Sequence, residues 1–158
     1  MTLEDIVDTA IEPAYTLLPS RMRSDEATVM SLAIGLQESR FTHRRQIGGP
    51  ARGFWQFERG GGVAGVLRHP ASKQIAVSVC DARCVAPLPE QVYQKLELDD
   101  VLAAAFTRLL LFTDPLPLPR LGEFDRAWDY YQRVWRPGKP HRQTWDALYA
   151  QALEEVRK

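Results

Sequence analysis

Glu38 is the residue of this chain best placed to do acid–base chemistry. It follows a run, Val29, Met30, Leu32, Ala33, Ile34 and Leu36, that covers most of a helix's circumference. A helix apolar nearly all round is a buried one. Burial disfavours the charged form of a carboxyl group, and the negative end of the helix dipole acts in the same direction. Both raise the pKa. A carboxylic acid still protonated near neutral pH can deliver a proton to a leaving glycosidic oxygen. Two-carboxylate hydrolysis needs a partner for it. Glu58, on the far side of a glycine-rich stretch, is the first candidate and Asp129 the second. Sugars present apolar ring faces as well as hydroxyls, so a glycan cleft combines aromatic platforms with amide hydrogen-bonders. Phe54, Trp55, Tyr131, Trp135 and Gln56 have that chemistry, although Trp is equally an ordinary core residue. Arg40, His43, Arg44, Arg45 and Arg52 make the surroundings of Glu38 basic. They either meet carboxylates of a partner or merely solvate a loop, and His43 has no assigned role.

Two ordered motifs sharpen this reading. Glu38-Ser39-Arg40-Phe41 resembles the Glu-Ser-x-Phe signature of the lytic transglycosylase and goose-type lysozyme-like families. Pro50-Ala51-Arg52-Gly53-Phe54-Trp55-Gln56-Phe57 follows at the expected distance and resembles their Gly-Ala-x-Gly-Leu-Met-Gln-Ile segment. Ala51, Gly53 and Gln56 agree in type, whereas Phe54, Trp55 and Phe57 replace aliphatic residues with larger rings. The resemblance covers residues 24–60 well and the remainder loosely. It implies a lysozyme-like, mainly helical fold in which Glu38 is the acid/base, Ser39 supports the site by hydrogen bonding and Gln56 lies in the glycan-binding cleft. The family's late Ala-Tyr-Asn motif has only a partial counterpart in Tyr130-Tyr131-Gln132, which keeps a phenol and an amide but lacks the Asn. Ala127-Trp128-Asp129 is a competing register. The resemblance thus adds Ser39, Gln56, Phe54, Trp55, Tyr130 and Tyr131 as substrate-binding candidates, with Glu58 as the second carboxylate if there is one. It implies cleavage of peptidoglycan between N-acetylmuramic acid and N-acetylglucosamine without cofactor or metal. In that family one Glu suffices and the product is a 1,6-anhydro sugar; this route is preferred over hydrolysis by a muramidase.

The elements that must position these residues read as helical nearly throughout. Residues 3–18 form a first helix ended by Pro19. Ser24 is a good N-cap, with Asp25 and Glu26 in the first turn of the buried helix, which runs out at Gln37-Glu38-Ser39-Arg40. Residues 41–62 are polar and glycine-rich and have no helical period. Their aromatic residues argue against disorder, and a small β-hairpin or irregular lobe is expected. Helical signals return over 63–69, 71–84, 90–96 and 101–113. Pro115, Pro117 and Pro119 then make a stiff connector, and 122–135 and 143–157 are the last helices. The expectation is a single all-α domain over 1–158.

Bulk properties exclude more than they assert. The chain has 158 residues, 45% of them hydrophobic and 25% charged, with zero formal net charge. These values suit one globular domain and give no electrostatic signature for nucleic acid. No apolar run approaches the length of a membrane span, and the N-terminus lacks the basic and apolar regions of a secretory signal. The expected partner is the glycan strand alone, met by a monomer without membrane insertion. Delivery to the wall would come from a separate phage pore, a virion or a dedicated export machine. Cys80 and Cys84 are expected to be free thiols. The alternative is a non-catalytic structural or virion protein with a lysozyme-like fold.

Overall fold

The computed structural model describes residues 1–158 and is mainly helical, with almost no strand. The core is organised by two helices that are apolar on most faces. α3 (Asp25–Ser39) begins at Ser24, whose hydroxyl accepts from the Ala27 N–H at 3.1 Å, and every residue from Ala27 to Leu36 on it is buried. α7 (Asp100–Phe112) begins at Asp99, whose carboxylate accepts from the Leu102 N–H at 3.0 Å, and it is buried from Leu102 to Leu111. The remaining helices wrap this pair.

The N-terminal segment differs from the single helix expected over 3–18. α1 (Leu3–Ile6) passes through a π-helical turn (Val7–Ile11) into α2 (Glu12–Thr16). The cause is Pro13. Its ring crowds the carbonyl four residues back and it offers no N–H, so the chain widens by one residue per turn to pass it. This segment packs on α7. α4 (Ala64–Arg68), α5 (Lys73–Ala82) and α6 (Pro89–Leu96) follow the glycine-rich lobe. α8 (Phe124–Trp135) and α9 (Arg142–Val156) close the chain, α9 along α3. Cys80 is buried and Cys84 exposed, both as free thiols. No helix is long and apolar enough to cross a membrane.

The lobe is irregular from 41 to 58, with only isolated antiparallel bridges between Arg45 and Arg52 and between Arg52 and Phe57, whereas Arg59–Val63, expected to lack helical structure up to 62, forms a π-helical turn that leads into α4. The irregular part is nonetheless tightly tied. Gln46 N–H donates to the Ala51 carbonyl at 2.9 Å, Gly53 N–H to Arg44 at 2.7 Å, and Arg52 and Phe57 exchange both bonds at 2.8 and 2.9 Å. Gly53 has a left-handed φ of 77°, and a Cβ there would come within 3.0 Å of the Leu96 carbonyl oxygen. Any larger residue would push the lobe off the end of α6.

Candidate active site

The end of α3 is built by the four residues Glu38-Ser39-Arg40-Phe41 acting in opposite directions. Arg40 and Phe41 both lie in the left-handed region, at φ 56° and 54°. This is costly for non-glycine residues and persists only where surrounding contacts enforce it. The contacts are specific. Ser39 Oγ donates to the Phe54 carbonyl at 2.6 Å and accepts from the Phe41 N–H at 3.1 Å. The Phe41 ring folds back over Gly35, where a Cβ would meet Phe41 Cζ at 2.1 Å. Phe41 also packs edge-on against Phe54 and Trp55, each at 5.5 Å between ring centroids. Ser39 and Phe41 thus bind the glycine-rich lobe to the helix, and the adjacent Glu38 is left at the junction.

Glu38 is half-buried. Its Oε1 accepts from the Tyr131 hydroxyl at 2.6 Å. Oε2 has no partner within the protein, and the sole buried side-chain atom left without a partner is Arg108 Nη1, so Oε2 reaches solvent. Burial pushes the Glu38 pKa up to about 7; the Tyr131 hydrogen bond opposes this and the charge of Glu58 adds to it. Tyr131 itself is driven well above the ordinary phenol range, first by burial and then by the neighbouring carboxylate. It therefore stays a hydrogen-bond donor. Its ring is fixed by stacking on Trp145 at 5.2 Å with planes 10° apart, and by Trp128 at 5.5 Å. α8 and α9 together aim the hydroxyl at Glu38.

The sequence-predicted residues separate into those at the site and those beneath it. Glu38, Tyr131 and exposed Glu58 come together electrostatically. Gln56 is half-buried, with φ 55°; its amide Nε2 donates to the Gly53 carbonyl at 2.9 Å. Oε1 of Gln56 has no protein partner and is not a buried orphan, so it too reaches solvent. Because Ser39 holds the Phe54 carbonyl, Gln56 lies two residues from the contact that abuts Glu38.

Phe54 and Trp55 are not sugar platforms. They are 2% and 0% exposed, and the Trp55 indole N–H donates to the Ser31 carbonyl at 2.7 Å. The larger rings that replace the aliphatic pattern fill core volume between α3 and the lobe. Ser39, 2% exposed, cannot touch substrate and acts only by positioning the lobe. Tyr130 points elsewhere: its hydroxyl donates to the Leu111 carbonyl at 2.6 Å, beneath α8. One helical residue is about 100° of rotation, so adjacent tyrosines cannot share a face. Asp129 is exposed and its charge acts on Arg133. The basic run is also largely spent. Arg44 pairs with Asp100 at 2.8 Å, Arg45 with Glu97 at 2.9 Å, and Arg52 with Glu97 at 3.6 Å.

Two features escaped sequence reasoning. The Trp135 indole N–H donates to the Trp55 carbonyl at 3.0 Å, docking the end of α8 onto the lobe. Gln37 forms a clasp with the start of α9, donating to the His141 carbonyl at 3.1 Å and accepting from Thr144 Oγ1 at 3.0 Å. The available signal was the aromatic spacing Trp128/Tyr131 and Trp145/Tyr149, one turn apart on each of two facing helices. Compared with family models, curated proteins and solved structures, the chain matches none.

Proposed function

We propose that this protein cleaves the glycan strands of peptidoglycan at the bond between N-acetylmuramic acid and N-acetylglucosamine, with Glu38 as general acid and then general base. The observation that carries the reading is the asymmetric carboxyl of Glu38. Its pKa is about 7, Oε1 is occupied by a phenol donor, and Oε2 is free toward solvent. A proton on the carboxyl therefore resides on Oε2, the oxygen able to face a glycosidic bond. The resemblance of the motifs at 38–41 and 50–57 to lytic transglycosylases and goose-type lysozymes supplies the substrate class.

In the preferred route Oε2–H protonates the bridging oxygen as the C–O bond breaks. The substrate's own N-acetyl oxygen assists at the anomeric carbon. The Glu38 carboxylate, still holding the Tyr131 hydrogen bond, then takes the proton of the muramic 6-hydroxyl as that oxygen closes the 1,6-anhydro ring. Glu38 returns to its acid form and no water is consumed. A second reading, hydrolysis, is favoured by one observation: Glu58 is close enough to raise Glu38 electrostatically and is exposed. It would there orient a water against the anomeric carbon.

Digestion of purified peptidoglycan by the wild type and by Glu38→Gln, with mass spectrometry of the soluble products, tests both. Fragments one water lighter than hydrolysis products, absent with Glu38→Gln, are the expected result. Fully hydrated fragments would transfer the second role to Glu58. Intact walls of several chemotypes after treatment with folded wild type would refute the proposal and leave a structural role.

A further inference from the structure

The connection between α8 and α9, residues 136–141, has both ends anchored at the candidate site. At its start Trp135 is docked on the Trp55 carbonyl. At its end His141 is clasped by Gln37, the residue before Glu38. One turn before the start, Tyr131 holds Glu38 itself. The segment Arg136-Pro137-Gly138-Lys139-Pro140-His141 therefore runs along the margin of the site, from the lobe to the start of α9. Two prolines limit its freedom, so its side chains are presented at reduced entropic cost.

Its charges are uncompensated. Arg136, Lys139 and His141 are exposed, and no carboxylate pairs with any of them. The same holds for exposed Arg40 at the end of α3, whose guanidinium caps the Leu36 and Gln37 carbonyls. On the lobe, by contrast, Arg44 pairs with Asp100, and Arg45 and Arg52 share Glu97. Yet the centre of the site holds carboxyl groups, with the charge of Glu58 acting on Glu38. An anionic chain drawn toward those carboxylates would be repelled unless cations flanked them.

We propose that the 136–141 connection is a recognition lip for carboxylates carried beside the scissile bond. On a glycan strand these are the carboxylates of the peptide stems on N-acetylmuramic acid, so this inference rests on the reading of Glu38 given above. Arg136 and Lys139 supply the charge, and Trp135 and the Gln37–His141 clasp fix where it is presented. The lip makes the protein prefer stem-bearing strands to bare ones.

The test measures binding and cleavage in parallel. Wild type and the double variant Arg136→Gln/Lys139→Gln are cosedimented with insoluble peptidoglycan, and competed with soluble glycan strands either bearing stems or stripped of them by an amidase. The same strands are assayed for cleavage. The wild type is expected to bind stem-bearing strands roughly tenfold more tightly than stripped ones, an advantage that shrinks as salt rises. The double variant is expected to bind the two alike. A double variant that keeps the full preference, or a wild type with none, overturns the lip, even if Glu38-dependent cleavage proceeds. Selective binding lost in the double variant supports the lip even without cleavage, in which case the reading of Glu38 alone has failed.

Discussion

Two carboxylates flank the glycine-rich lobe and titrate in opposite directions. Glu38, on the inner side against α3 and α8, is pushed up to about 7 by burial. Glu97, on the outer side at the end of α6, is held below the ordinary range by the hydrogen-bonded Arg45 guanidinium. The side chains are chemically identical. What differs is the medium. The inner side is made of aromatic rings, with Phe41, Phe54 and Trp55 meeting edge to face, and offers the carboxyl a neutral phenol. The outer side is water and guanidinium, with Glu97 accepting from Arg45 at 3.0 and 2.9 Å. One face of the lobe is rigid and holds a carboxyl proton up to near-neutral pH, and the other carries solvated ion pairs.

The contrast breaks most readily at its aromatic side. Trp55→Ala is expected to cost about 3–5 kcal/mol, because it empties a fully buried site and leaves the Ser31 carbonyl without its indole donor. Chemical denaturation would show this as a lowered midpoint; a loss below about 1 kcal/mol would mean that the lobe is not packed as described.

Glu38 gives the next largest effect, through pH. Below the unfolded pKa of about 4.5 the group is protonated in both states and imposes no penalty. As pH rises toward about 7 the unfolded chain releases its proton while the folded chain keeps it, so stability falls across this window. The drop is about 3 kcal/mol at 1.4 kcal/mol per pH unit. Glu38→Gln should flatten that slope in denaturation curves at pH 4.5 and 8. The proposed cleavage, which needs the acid form of Glu38, should decline above the same upper limit. A slope unchanged by Glu38→Gln would place the raised pKa on another residue.

The smallest effect belongs to the outer side. Arg45→Ala removes an exposed pair of a kind worth about 0–1 kcal/mol, and the unfolding midpoint should barely move. A loss comparable to that of Trp55→Ala would erase the distinction between the two faces.

The buried helix, its Ser24 cap and the boundary at Glu38 were legible because each rests on local chemistry: an apolar run, a hydroxyl cap, acidic residues in the first turn. The π-helical turn before Pro13 was missed because the apolar pattern runs through it and only the missing donor betrays it. The fate of the rings was not legible at all. Phe54 and Trp55 have the composition of a sugar platform, and only burial distinguishes a platform from a core. Basic residues at 44, 45 and 52 read as a charged surface, while their partners Glu97 and Asp100 stand some 50 residues away in the chain.

Local sequence therefore determined the helices after the N-terminal segment, the irregular part of the lobe and the carboxyl group at the end of α3, since capping, periodicity and glycine content act within a few residues. Tertiary structure alone decided which of two adjacent tyrosines meets that carboxyl. Tyr130 and Tyr131 are equal in sequence, but about 100° of helical rotation sends one hydroxyl to Leu111 and the other to Glu38. The fixed phase of α8 on α9, set by Trp128, Tyr131 and Trp145 packing together, makes that choice. The pKa of Glu38 is decided in the same way, because desolvation is the sum of everything packed around a group and no short stretch of chain contains it.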